Sequence, residues 1–130
     1  MSDYLADTSV FLAVEHGRSL GKPPAGDARI SVATLTELIV GVRRAPTESL
    51  RVRASTMRSA QRFIALPYDA AVAERLAEIL AAARTQRRRA GAMDAIIAAT
   101  ALAHDLAVWT QDDNFAVLAQ LAPKLRVHRG

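Results

Sequence analysis

Short apolar runs of strand length alternate along this chain with longer segments whose apolar residues recur at helical spacing. The short runs predict strands at residues 4–6, 29–32, 63–67, 106–109 and near 125–127. Strands that are separated by helices pair in parallel, because each connection returns to the same end of the sheet. The pattern therefore predicts an α/β fold with a central, mainly parallel sheet of four to five strands covered by helices.

Helix signals fill the intervals between these strands. Asp7 is expected to cap a helix directly after the first strand, and Asp69 one that runs from 70 to about 88. Thr34 is expected to open a further helix, because Thr34 and Glu37 have the spacing of a capping box. Other helices are expected from 46 to about 62, at 93–103 and shortly after residue 114.

Four acidic residues lie beside apolar segments that should be buried: Asp7, Glu37, Asp94 and Asp112. Two follow predicted strands and two lie at predicted helix starts, positions that face the carboxyl edge of a parallel sheet, where ligands bind. If the four converge there, each close pair of carboxylates repels by about 4 kcal/mol at an effective dielectric of 20. A divalent cation would relieve this repulsion, so the arrangement predicts a metal site.

Each acid also has an ordinary structural explanation. Asp7 can cap a helix, and Glu37 can close the capping box that Thr34 opens. Asp94 suits the positive end of a helix dipole, and Asp112 can belong to a polar turn. Four independent caps have no reason to share one edge of a sheet, however, whereas a Mg²⁺ site needs several oxygen donors there. The joint pattern favours metal-dependent hydrolysis of phosphodiesters.

Composition narrows the possible ligands and partners. The chain has no cysteine and three histidines without metal-ligand spacing, so a metal would be held by carboxylate oxygens. A net charge of +4 favours a polyanionic partner, and the 130 residues fit a single domain, 1–130. No membrane-length apolar run or signal segment is present, so a cytoplasmic location is the expectation.

Four segments of the chain resemble the PIN-domain ribonucleases, specifically the VapC toxins of bacterial toxin–antitoxin pairs. The segments that carry the resemblance are Leu5-Ala6-Asp7-Thr8-Ser9, Thr34-Leu35-Thr36-Glu37-Leu38 with Gly41, Asp94-Ala95-Ile96-Ile97-Ala98-Ala99-Thr100-Ala101 and Thr110-Gln111-Asp112-Asp113-Asn114-Phe115. By this resemblance Asp7, Glu37, Asp94 and Asp112 are the catalytic, metal-binding acids. Their supporting hydroxyls are Thr8, Ser9 and Thr110.

One position departs from the family pattern. Relatives often carry an aspartate before the last phenylalanine, where this chain has Asn114, which brings no charge. Asn114 can still coordinate or hydrogen-bond, and the neighbouring Asp113 is expected to share this role.

The resemblance implies a three-layer α/β/α sandwich and an endoribonuclease dependent on Mg²⁺ or Mn²⁺ that cuts structured RNA. It also implies a homodimer and a VapB-type antitoxin whose tail occupies the acidic cleft. RNA affinity then requires cations around the acids, and Arg87, Arg88 and Arg89 are the expected rim because they precede Asp94 closely. The alternatives are an aspartate-based phosphotransferase and a non-enzymatic RNA- or protein-binding module.

Overall fold

The computed structural model describes residues 3–130, and its elements alternate as the sequence predicts. The strands are β1 (Tyr4–Ala6), β2 (Ala28–Ser31), β3 (Ala65–Leu66), β4 (Ala107–Thr110) and β5 (Val127–Arg129). The helices are α1 (Thr8–Glu15), α2 (Val32–Arg43), α3 (Thr47–Ala60), α4 (Ala70–Thr85), α5 (Ala92–Ala103) and α6 (Asn114–Leu121).

The five strands form one sheet in the order β3-β2-β1-β4-β5, and every neighbouring pair is parallel. β1 lies between β2 and β4, so strands β2 and β3 extend the sheet on one side of it and strands β4 and β5 on the other. This change in the direction of the strand order opens a crevice at the carboxyl ends of the strands. Ala6 pairs with Trp109 in this register, so Asp7 and Thr110 emerge next to each other at the crevice.

Two hydrophobic clusters pack on opposite faces of the sheet. Leu5 of β1 packs with the cluster that includes Ile97 of α5 and Phe115 of α6, whereas Tyr4 and Ala6 pack with α1 and α3. This alternation is what a strand buried on both faces requires. The predicted three-layer α/β/α sandwich is confirmed. No helix within residues 3–130 has the length and apolar character needed to cross a bilayer.

The start of α2 differs from the prediction. The helix begins at Val32 and is capped by Ser31, whose hydroxyl accepts a 3.0 Å hydrogen bond from the Ala33 amide. Thr34 therefore lies in the first turn of α2 and does not cap it, and its side chain is fully buried. The predicted capping box with Glu37 is wrong. Glu37 lies in the second turn, where it has no backbone amide to cap. Its carboxylate is available for tertiary contacts.

Candidate metal centre

The two carboxylate oxygens of Asp7 have different surroundings. Oδ2 accepts hydrogen bonds from the Ser9 hydroxyl at 2.7 Å, the Thr110 hydroxyl at 2.9 Å and the Ser9 amide at 3.4 Å. Oδ1 is buried and has no hydrogen-bond partner. Burial raises the pKa of Asp7 even though the Ser9 and Thr110 bonds oppose the rise. A buried carboxylate oxygen that accepts no hydrogen bond is an exception among folded proteins. A bound cation would offset the cost of removing this oxygen from water.

The two hydroxyls that hold Asp7 are themselves oriented by the turn after β4. Ser9 Oγ accepts from the Gln111 amide at 2.8 Å, and Thr110 Oγ1 accepts from the Asp112 amide at 2.9 Å. A hydroxyl has one proton, so accepting from these amides leaves that proton for Asp7. The turn between β4 and α6 thereby fixes the side chain that follows β1. Asp7 also caps α1, as predicted.

Glu37 is tied to the same region through Thr8. The Thr8 hydroxyl donates to Glu37 Oε1 at 2.7 Å, and the buried Thr34 hydroxyl lies 3.0 Å from Thr8 Oγ1. With the Thr8 proton given to Glu37, Thr34 is the donor to Thr8. Burial raises the pKa of Glu37, and the charges of Asp7 and Asp112 raise it further. Sequence reasoning missed this role of Thr34 because it assigned the residue to the start of the helix.

Asp94 and Asp112 are bridged by a neutral amide. Asn114 Nδ2 lies 3.3 Å from Asp112 Oδ2 and 3.5 Å from Asp94 Oδ2, and the Asn114 amide donates to Asp112 Oδ1 at 2.9 Å. Asp94 lies in the first turn of α5, as predicted. Burial is the main cause that raises its pKa to about 6, followed by the charges of Asp7, Asp112 and Glu37. The structure thus brings all four acids within electrostatic reach of one another.

The arrangement fits a cation held by few direct protein ligands. No three acidic, histidine or cysteine side chains within residues 3–130 converge closely enough to share one ion as they stand. Mg²⁺ usually retains several waters and binds through one or two carboxylates. The bare Oδ1 of Asp7, with three more carboxylates within electrostatic reach, has the chemistry of such a site. Magnesium or manganese therefore fits the residues that are present.

Asp113 contacts β5 and not the four acids, and the arginines of the predicted rim are exposed. Asp113 forms an ion pair with Arg129 Nε of β5 at 2.7 Å, which does not support its expected assistance to the fourth acid. Asn114 makes those contacts instead. Arg87, Arg88 and Arg89 are all exposed, and Arg88 donates to the side chain of Gln120 on α6. Arg87 has a φ of 54°, in the left-handed region that disfavours non-glycine residues.

Comparisons with known proteins agree with this geometry. The PIN domain model matches residues 4–121. Ribonuclease VapC4 of Mycobacterium tuberculosis is 42% identical over 88% of this chain and 89% of that protein, and ribonuclease VapC5 of the same organism is 40% identical over 86% and 84%. The crystal structure of VapBC-5, a toxin–antitoxin system of M. tuberculosis, superposes over the full length of both chains with a TM-score of 0.89 at 33% identity. The chain belongs to the PIN domain family, among the VapC ribonucleases.

Proposed function

We propose that this protein is a metal-dependent endoribonuclease toxin of a type II toxin–antitoxin pair. It hydrolyses phosphodiester bonds in structured RNA within the cytoplasm, and so inhibits translation and growth. The observation that carries the proposal is the buried, unpartnered Oδ1 of Asp7 within a group of four acids. The ribonuclease names of the relatives support the substrate class.

Asp7 would hold the proposed Mg²⁺ or Mn²⁺, and Glu37, Asp94 and Asp112 would supply further negative charge around it. When bound, such an ion neutralises phosphate charge and lowers the pKa of an attacking water. Ser9 and Thr110 hold Asp7 by one oxygen and leave the other without a hydrogen bond, available to the ion. Groups that orient metal ligands in this way typically alter metal affinity 10- to 100-fold, roughly, when they are removed.

Asn114 separates two of the carboxylates in the proposed site. Its amide hydrogens face Asp94 and Asp112, so it lowers the repulsion that an aspartate at this position would increase. Because the pKa of Asp94 is raised to about 6, this carboxylate is partly protonated in the metal-free protein below neutral pH. At neutral pH the carboxylates are ionised, so protons compete little with a cation for them.

RNA approaches this site against the repulsion of the acids. We propose that the exposed residues Arg87, Arg88 and Arg89 supply the opposing charge, because they directly precede α5, whose first turn holds Asp94. Cations that contact phosphates give affinity without base preference, and that affinity falls as salt rises. The net charge of +4 favours the same encounter.

The partners that we propose are a VapB-type antitoxin and a second copy of this chain. An apolar groove of about 430 Å³ lies beside α1 and α3, and Val14, Val52 and Phe63 are exposed along it. Glu15 lines both this groove and the cavity beside Glu37, so an apolar surface leads towards the acids. A segment with apolar residues followed by a cation would complement both parts and occupy the cleft.

The test is cleavage of an RNA pool by protein that has been freed of antitoxin, with Mg²⁺ or Mn²⁺ and with EDTA. Asp7→Asn and Asp94→Asn should lose cleavage while remaining folded by circular dichroism. Asp69→Asn is the matched control, because Asp69 caps α4 outside the acidic group and asparagine caps equally well. Discrete, metal-dependent fragments are expected from the wild type and from Asp69→Asn.

Two outcomes would contradict the proposal. Undiminished cleavage by both Asp7→Asn and Asp94→Asn would exclude the acids as the catalytic group. RNA binding that requires no metal, ignores both substitutions and leads to no cleavage would indicate a binding module instead.

A further inference from the structure

A cavity of about 310 Å³ opens beside Glu37 and lies between α1, α2 and α3. Thr8 and Glu37 form one side of it, so the cavity is continuous with the acidic cleft. Leu12 and Leu38 provide apolar walls, and Glu15 and Arg53 provide charged groups. Its volume is at the lower end of the range of ligand pockets, about 300–1,000 Å³. The cavity thus offers room for a small, partly apolar group next to the proposed metal.

Glu15 gives this cavity a buried hydrogen-bond acceptor. Its side chain is only 8% exposed, although it lies at the end of α1. Among the described residues, its one ion-pair partner is His16, at 3.7 Å and 60% exposed. A carboxylate that is removed from water with so distant a partner gains from a ligand that brings N–H donors.

Arg53 gives the same cavity a fixed set of donors. One guanidinium nitrogen, Nη1, donates to the Gly41 carbonyl in the last turn of α2 at 3.1 Å. A guanidinium carries five N–H donors, so this bond anchors the group and leaves others for a ligand. Arg53 is also half-buried, which strengthens its hydrogen bonds relative to those of the fully exposed arginines.

These groups match a nucleobase better than a phosphate. Glu15 and Glu37 repel a phosphate, whereas the leucines suit the flat faces of a base. Guanine combines the acceptors O6 and N7, which a guanidinium recognises, with N–H donors on its Watson–Crick edge, which a carboxylate accepts. We propose that this cavity binds a base adjacent to the scissile phosphodiester and prefers guanine. This inference rests on the proposed ribonuclease function and names a specificity site for it.

Gly41 offers a direct way to fill the cavity. A Cβ built on Gly41 meets no atom within 4 Å, although the residue lines the cavity and lies inside α2. Gly41→Ala should therefore place a methyl group in the space of the base and strengthen the helix at the same time. A higher melting temperature together with lost base preference would separate a specificity effect from misfolding.

The experiment compares the wild type with Gly41→Ala and Arg53→Lys on a pool of RNA hairpins with randomised loops in the presence of Mn²⁺, and the cut ends are then sequenced. Arg53→Lys keeps the charge and a donor for Gly41 but loses the planar pair of donors. We expect guanine to be enriched at one position beside the cut in the wild type, and both variants to reduce that enrichment at least about fivefold. Arg58→Lys, an exposed position on α3, should cut like the wild type.

A second experiment tests the cavity independently of cleavage. Each of the four nucleoside 5′-monophosphates is titrated into the protein with Mg²⁺, and binding is measured from the NMR chemical-shift changes of the protein. GMP should bind most tightly to the wild type, and both variants should lose this preference. Equal binding of all four nucleotides by the wild type would overturn the guanine site even if RNA is cut. A guanine preference without metal-dependent cleavage would support the site and contradict the nuclease. A guanine preference that both variants retain at the wild-type level would overturn the assignment of this cavity as the base site.

Discussion

Thr110 donates a 2.9 Å hydrogen bond to Asp7 Oδ2 across 103 positions of sequence. The same hydroxyl accepts from the Asp112 amide, so one side chain joins the ends of β1 and β4 and the turn that carries another acid. The positions of Asp7 and Asp112 are therefore coupled through Thr110. This coupling gives the acidic group a defined arrangement before any cation is present.

Removal of that hydroxyl should weaken both metal binding and the fold. Thr110→Val leaves Asp7 Oδ2 with Ser9 alone and leaves the Asp112 amide without this acceptor, at a cost of roughly 1–3 kcal/mol of unfolding free energy. Mn²⁺ affinity, measured by calorimetry, should fall about 10- to 100-fold.

Thr100→Val is the control for Thr110→Val. Thr100 is equally buried, but its hydroxyl donates only to the Ile96 carbonyl within α5. It should retain wild-type Mn²⁺ affinity. If Thr110→Val also bound Mn²⁺ as tightly as the wild type, the orienting role of Thr110 would be excluded.

The metal-free protein should lose stability relative to Asp94→Asn as pH rises from about 4 to about 7. The pKa of Asp94 is about 6 in the folded state against 3.8 for the free side chain, so the folded state binds the proton more tightly. That stabilisation is complete below the unfolded pKa and is lost as pH rises through the folded one. The pKa values of Asp7 and Glu37 are raised as well, and their contributions have the same sign.

Urea unfolding of the wild type and Asp94→Asn at several pH values, with EDTA, measures this loss. Added Mg²⁺ should raise the melting temperature more at pH 7.5 than at pH 5, because the ligands have to be deprotonated. A difference between the two proteins that does not vary with pH would contradict the assignment of a raised pKa to Asp94.

Asn114→Asp should make the protein more dependent on metal. The substitution replaces the amide donor next to Asp94 and Asp112 with a third carboxylate, which increases their repulsion at neutral pH. We expect a lower melting temperature with EDTA and a larger rise on addition of Mg²⁺ than in the wild type. Asn114→Ala removes the amide without adding charge, and its gain from Mg²⁺ should stay below that of Asn114→Asp.

Arg87→Gly should stabilise the fold and weaken RNA binding at the same time. Arg87 follows the C-cap of α4 with a φ of 54°, a conformation that glycine adopts without steric cost and that costs most other residues about 1 kcal/mol. A higher melting temperature is therefore expected. If Arg87 contacts phosphate, the slope of log affinity for RNA against log salt should decrease in magnitude by about 1.

Asp105→Gly provides the comparison for Arg87→Gly. Asp105 follows the C-cap of α5 with a φ of 53° and does not belong to the proposed rim, so its replacement by glycine should leave RNA affinity unchanged or slightly higher. Unchanged affinity and salt dependence in Arg87→Gly would remove Arg87 from the rim.

Local patterns were sufficient for the elements of the fold. Apolar periodicity and capping signals both depend on residues a few positions apart. Together they predicted the parallel sheet, the helix cap at Asp69 and the acid in the first turn of α5. The capping signal failed at α2, where Thr34 and Glu37 have the spacing of a capping box. Ser31 caps the helix instead, because β2 ends at that residue and the chain is already positioned to turn.

The sequence by itself determined that four carboxylates would follow strands or lie near helix starts, because element type and order are local properties of the chain. Only the tertiary structure decided that one oxygen of Asp7 is held by Ser9 and Thr110 while the other is bare. It also decided that Asn114 contacts the acids and that Asp113 pairs with Arg129. These outcomes depend on hydrogen bonds and burial between residues up to 103 positions apart, and no local pattern encodes such distances.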